Sequence, residues 1–185
     1  VFFSLYKNYL MKMIFSHISP AIIGCLVTFV MGALIILTQR WHGRWTLDEH
    51  EGVQKFHSQP TPRIGGLAIV SGAFISGFIL DPEVKALMLP LLISGLIPFF
   101  FGFREDVTKR VSVRDRLLAT MAGAVAAMLL TGTYLDHLDV PGIDLLMVWW
   151  PVGSLVTIIA VSGVTNAINI LDGFNGLASG SAMLI

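Results

Sequence analysis

The chain has 185 residues, of which 55% are hydrophobic and only 13% charged, with twelve Lys and Arg balanced by twelve Asp and Glu. An ordinary soluble domain carries about 25% charged residues, so this composition excludes one and points to a bilayer, and the balanced charge gives no footing for nucleic acid as a partner. A single cysteine, Cys25, rules out a disulfide framework.

Residues 1–19 are rich in aromatics and read as a short helix lying in the membrane surface. Five apolar runs follow, at Pro20–Thr38, Ile64–Leu80, Ala86–Phe103, Leu117–Tyr134 and Leu145–Leu171. Each approaches the ~20 residues that cross ~30 Å of hydrocarbon, the second being the shortest and the fifth reaching into the interface. The first lacks a small-residue cleavage site and is not read as a signal peptide. The fold class is therefore all-α: one polytopic helical bundle over residues 1–185, with five transmembrane helices and the start of a sixth. The chain begins at Val1 and ends inside another apolar segment, which leads us to expect a piece of a longer enzyme, inactive alone.

Basic residues set the orientation. Loops 39–63 and 104–116 hold Arg40, Arg44, Lys55, Arg63, Arg104, Lys109, Arg110, Arg114 and Arg116, whereas the other extramembrane segments hold only Lys7, Lys12 and Lys85. The positive-inside rule places the two basic loops in the cytosol and the N-terminus outside.

Three polar clusters then fall on the cytosolic side. The first is KFHSQPTPRIGG, Lys55–Gly66. Pro60 and Pro62 keep it extended, and His57, Arg63 and Lys55 become cations on a stiffened loop. The second is GFREDVTKRVSVRDRL, Gly102–Leu117, where adjacent Glu105 and Asp106 are flanked by Lys109 and Arg110. Carboxylates beside cations suit a site that handles a divalent metal together with phosphate; a charge-balanced solvated loop is the bland alternative. The third is NAINILDGFNGLASG, Asn166–Gly180. At about 100° per residue, Asn166, Asn169 and Asp172 share one helix face, and Gly173 and Gly176 then turn the chain around Asn175. Polar residues at that depth are functional by default, although interhelical hydrogen bonding would also explain them. His17, His42, His50 and His137 show no metal-ligand spacing and are expected to be exposed. Trp149 and Trp150 read as an interfacial belt, and Ser71–Gly77 as a close-packing helix face.

The motifs H-x-x-P-T-P-R-x-G-G, from His57, and N-A-x-N-x-x-D-G-x-N-G-L, from Asn166, resemble those of the polyprenyl-phosphate N-acetylhexosamine-1-phosphate transferases, glycosyltransferase family 4. The resemblance covers about residues 50–180. It implies a phospho-sugar transferase in the bacterial inner membrane, moving a sugar 1-phosphate from a UDP-amino sugar to undecaprenyl phosphate at the start of an envelope polysaccharide. Mg²⁺ is the implied cofactor, with Mn²⁺ as a substitute, and a homodimer is left open. By position, Asp106 would engage the lipid phosphate and Glu105 would support metal or phosphate geometry. Asn169 would ligate the metal and Asp172 would serve nucleotide binding or catalysis. His57, Arg63, Lys109, Arg110, Asn166 and Asn175 would contact substrate.

The sequence departs from the family in having Glu-Asp where an Asp-Asp pair is usual, and Asn175 where many members have aspartate. The PTPR string is closer to the initiators of O-antigen and teichoic acid, which favours an N-acetylglucosamine-type donor. Two other readings stay open from the residues themselves: a transporter fragment with glycine-broken helices, and a non-catalytic scaffold that binds lipid phosphate.

Overall fold

The computed structural model describes residues 2–46, 62–171, 180, 181 and 184, with residues 2–17, 170 and 171 described as backbone alone. Among these the architecture is all-helical. The helices are α1 (Phe2–Thr46), α2 (Gly65–Ile79), α3 (Pro82–Thr108), α4 (Val113–Thr131), α5 (Asp144–Met147) and α6 (Trp150–Leu171). The helices form two compact units, one from α1, α2 and the start of α3 to Leu92, the other from Ile93 of α3 through α6.

In the first unit, α1 and α2 pack through small residues. A Cβ placed on Gly72 of α2 would collide with the Thr28 hydroxyl and lie 2.6 Å from the Gly24 carbonyl of α1. Gly77 is close-packed too, though less severely, since a Cβ there would approach a methyl of Leu92 to 2.8 Å. The Ser71–Gly77 face is thus the close-packing surface its composition suggests. The N-terminal segment differs from expectation. It is continuous with the first apolar run, so α1 is one helix of 45 residues, roughly 67 Å at the usual rise. Pro20 sits inside it, fully buried; a membrane helix tolerates a proline where neighbouring groups re-satisfy the backbone.

In the second unit, α3 ends where Lys109 turns left-handed (φ 55°) and donates its N–H to the Glu105 carbonyl at 2.7 Å. A capping box opens α4: the Ser112 hydroxyl accepts from the Asp115 N–H at 3.1 Å, and the Asp115 carboxylate accepts from the Ser112 N–H at 3.3 Å. Gly132 ends α4 with φ 68° and donates to the Met128 carbonyl, a left-handed stop that favours glycine. Gly123 of α4 lies against α3, where an added Cβ would stand 2.9 Å from the Pro98 ring and 3.3 Å from the Ser94 carbonyl.

The expected fifth run is divided, with Val148 and Trp149 separating α5 from α6. Pro151 has no N–H to donate to the Met147 carbonyl, so that backbone bond is lost where the break falls, while a first-turn proline suits the start of α6. The α4–α5 loop is tied to α6, because the Leu135 N–H donates to the Thr157 hydroxyl at 2.8 Å.

Among the described residues, three helical stretches are long and apolar enough to cross a membrane: Ile18–Thr46, Pro82–Thr108 and Trp150–Asn169. The other two expected spans are shorter. α2 has 15 residues, and α4 opens with Arg114, Asp115 and Arg116, leaving an apolar stretch of roughly 22 Å from Leu117 to Thr131. Large apolar side chains point outward along the long helices, among them Phe29, Leu37 and Ile159. In lipid such surface is the ordinary exterior. Trp149 and Trp150 are exposed, as an interfacial belt requires.

Candidate functional site

The second unit brings two of the polar clusters onto α4. At the end of α3, Glu105 and Asp106 are half-buried, while Arg104, Lys109 and Arg110 are exposed. One guanidinium nitrogen of Arg116, Nη1, donates to both Glu105 oxygens, at 3.1 and 3.0 Å. The side chains are 28% and 22% exposed, so the pair is partly shielded, and a charged hydrogen bond there is worth more than one at the open surface. Arg116 Nε is buried and has no partner. The guanidinium thus faces Glu105 through one nitrogen and retains unused donor capacity.

One turn further along α4, the Thr120 hydroxyl accepts from Asn166 Nδ2 of α6 at 3.2 Å and donates to the Leu117 carbonyl at 2.8 Å. Asn166 Nδ2 also donates to the Ser162 carbonyl at 2.8 Å. One amide hydrogen of Asn166 thus ties α6 to α4 and the other returns to the backbone of α6 itself, which leaves Oδ1 as its acceptor for any further contact. Ser162 lies beside this contact at 3% exposure, its hydroxyl without a partner.

Residues four apart on a helix share a face. Arg116 and Thr120 therefore put the end of α3 and the end of α6 on one stripe of α4, with the two carboxylates at one side and Asn166 at the other. Asn169, a turn beyond Asn166, is exposed. Neither Arg116 nor Thr120 is singled out by sequence reading. Their partners lie eleven and forty-six residues away, and no helical period joins such positions.

The remaining expected residues divide as follows. Arg63 belongs to the first unit, where its N–H donates to the Thr46 carbonyl at 2.8 Å. His57, Asp172 and Asn175 lie outside the described residues. His42 corrects an expectation: it is half-buried, with both ring nitrogens in contact with α1. His137 is exposed as expected and pairs with Asp136 at 2.6 Å. This hydrogen bond raises the His137 pKa above 6.5, helped by the charges of Asp136, Asp139 and Asp144, and lowers that of Asp136 below 3.8.

Among the described residues no three His, Cys, Asp or Glu side chains gather as a metal cluster. Mg²⁺ does not require one, since it keeps waters and takes one or two protein oxygens together with substrate phosphate. A carboxylate at Asp106 and an amide oxygen at Asn169 are donors of that kind. Glu105 is less suited, because Arg116 already engages both of its oxygens.

The family model described as "Glycosyl transferase family 4" matches residues 88–185, a segment that includes Glu105, Asp106, Arg116, Thr120, Asn166 and Asn169. The chain is 29% identical to the phospho-N-acetylmuramoyl-pentapeptide-transferase of Pelotomaculum thermopropionicum, over 86% of this chain and 54% of the relative. It is 31% identical to the undecaprenyl-phosphate alpha-N-acetylglucosaminyl 1-phosphate transferase of Yersinia pestis, over 69% of this chain and 34% of the relative. For the probable undecaprenyl-phosphate N-acetylglucosaminyl 1-phosphate transferase of Bacillus subtilis the identity is 29%, over 71% and 36%. The chain spans about half the length of the pentapeptide transferases it matches and about a third of the other two relatives. No solved structure matches it.

Proposed function

Since the chain belongs to glycosyl transferase family 4, we propose that this protein transfers an N-acetylhexosamine 1-phosphate from a UDP-amino sugar to undecaprenyl phosphate. The observation that carries the reading is the convergence on α4, where Arg116 and Thr120 join the carboxylates of α3 to the asparagine end of α6.

The reaction is a phosphoryl transfer. An oxygen of the lipid phosphate attacks the β-phosphorus of the nucleotide sugar, a new P–O bond forms, and the bond from the β-phosphorus to the bridging oxygen breaks. UMP leaves with that oxygen, and the sugar stays on the transferred phosphate. Such chemistry asks mainly for positioning and charge stabilisation. A phosphate monoester has a second pKa near ~6, so the nucleophile is already largely dianionic at neutral pH and needs no strong base. Asp106 orients the lipid phosphate, and Arg116 holds Glu105 beside it. Lys109 and Arg110, exposed on the turn between α3 and α4, contact phosphoryl oxygens. Asn169 would ligate Mg²⁺, which would supply charge neutralisation on the phosphoryl oxygens, and Asp172 would serve nucleotide binding or catalysis. The donor is a UDP-N-acetylglucosamine type, by the PTPR string.

The same reading sets the topology. α1, α2, α3, α4 and α6 each cross the inner membrane, the two shorter ones with their charged ends in the headgroup layer. The basic ends of α1, α3 and α4 face the cytosol, and the N-terminus is outside. In membranes carrying the whole coding frame, Asp106→Asn should abolish Mg²⁺-dependent UMP release from UDP-N-acetylglucosamine. Undiminished release would remove Asp106 from the mechanism. If no variant and not the parent releases UMP while lipid phosphate still binds, the protein is a scaffold instead.

A further inference from the structure

The end of α1 carries a polar arrangement that the α4 site does not use. Positions 35, 43 and 46 are buried and 42 is half-buried, whereas Arg40, Trp41, Arg44 and Trp45 are exposed. One face of this helix end is thus an interfacial surface and the other turns inward. Thr46, the last helical residue, is only 5% exposed. Its carbonyl is among those that a helix end leaves without an intrahelical donor, and the Arg63 N–H takes it at 2.8 Å. Pro62 has no N–H, so Arg63 offers the first amide after the proline pair. Ile64, only 8% exposed, follows it and leads into α2.

Thr46 is itself held. Its hydroxyl lies 2.6 Å from His42 Nδ1 and 3.1 Å from the His42 carbonyl. His42 Nε2 lies 3.0 Å from the Ile35 carbonyl. A carbonyl only accepts, so Nε2 is the donor there. In the neutral ring Nδ1 is then an acceptor, and the single Thr46 hydroxyl proton is shared between it and the His42 carbonyl. These bonds run from Ile35 through His42 and Thr46 to the backbone of Arg63, all within one compact unit.

We infer that His42 and Thr46 are positioning residues for Arg63, fixing the backbone from which it reaches a phosphate. The phosphate contact rests on the proposed transferase reading; the anchor itself does not. A buried hydroxyl is retained when it is satisfied, and here satisfying it locks the helix end that receives Arg63. Thr46→Val keeps the shape and the carbonyl but removes the hydroxyl, whereas Thr46→Ser keeps the hydroxyl.

The test uses the full chain in lipid nanodiscs and two readouts. The first is hydrogen exchange at the Arg63 amide. It should quicken about tenfold in Thr46→Val and in His42→Ala, and stay near the parent rate in Thr46→Ser. Unchanged exchange in Thr46→Val overturns the anchor. The second readout is UMP release. Thr46→Val should slow it about fivefold, the worth of one net hydrogen bond, with no further slowing in an Arg63→Ala background. Equal slowing in both backgrounds would make Thr46 a general structural residue and overturn the positioning role. A parent that releases no UMP counts against the transferase reading, and the exchange rates still decide the anchor. Should Thr46→Val fail to fold, His42→Gln, which loses one of the two ring contacts, is read by the same exchange.

Discussion

The α1–α2 seam and the α4 face solve the problem of helix association in opposite ways. Between α1 and α2 the contact is made by absence of side chains: Gly24 and Gly72 let the backbones approach until a single added Cβ would clash. On α4 the contact is made by side chains that bond, Arg116 to Glu105 and Thr120 to Asn166. Lipid offers no hydrophobic driving force between helices, so close packing and polar bonds are the two means left. Packing of the first kind fixes a geometry and leaves nothing over for a ligand. The second kind leaves unused capacity, in Arg116 Nε and in Asn166 Oδ1. The difference teaches where chemistry can sit.

The sharpest break of this contrast is at Gly72. Gly72→Leu should force α1 and α2 apart and destabilise the fold by about 3 kcal/mol, at the upper end of overpacking costs. Gly163→Ala on α6, where an added Cβ meets nothing within 4 Å, should be neutral or gain up to about 1 kcal/mol from helix propensity. Thermal unfolding in detergent compares the two, and equal losses would mean that the seam is not the tight one.

A smaller effect is expected at Arg116. Arg116→Gln leaves Glu105 half-buried without its cation, for a loss of about 1–2 kcal/mol after allowance for solvent screening. Because a single nitrogen serves both carboxylate oxygens, Arg116→Lys should retain most of the stability, and UMP release should follow the same order. A lysine variant as impaired as the glutamine would show that guanidinium shape, rather than charge, is what the site uses.

These expectations separate what the sequence could reveal from what it could not. The long apolar helices and the polar string after residue 166 are visible because hydrophobic runs and local polar density are properties of one segment. The start of α4 went unread, although the S-x-x-D string at Ser112–Asp115 is an N-cap signal five residues before the apolar run at Leu117. The break before α6 also went unread, although Pro151 sits beside it. The Arg116–Glu105 and Asn166–Thr120 bonds leave no such trace, because they depend on how separate helices rotate against one another. His42 was misjudged for a different reason: spacing speaks to metal ligation, whereas its ring is used within its own helix, at the Ile35 carbonyl and at the threonine that receives Arg63.

The weakest effect belongs to the exposed α4–α5 loop. His137, with its pKa raised by Asp136, favours the fold fully below 6.5 and loses that contribution as pH rises through its raised folded value. Asp136 contributes above 3.8 and loses its share as pH falls through its lowered value. The pair therefore acts fully between those two pH values. Both groups are open to solvent, so His137→Asn should leave the unfolding midpoint and UMP release close to the parent's. A titration of the His137 ring by NMR should give a midpoint above 6.5, and a midpoint at or below it would dissolve the pair.

The central claim is that α4 joins the ends of α3 and α6 into one transferase site. The most direct measurement is Mg²⁺-dependent UMP release by the parent, Arg116→Gln, Thr120→Val and the double variant, in membranes with undecaprenyl phosphate and UDP-N-acetylglucosamine. Groups that serve one site couple, with interaction energies of about 0.5–3 kcal/mol, so the double variant should depart from the product of the single effects by at least about twofold. A double variant that equals that product would contradict the claim and leave two independent helix contacts in its place.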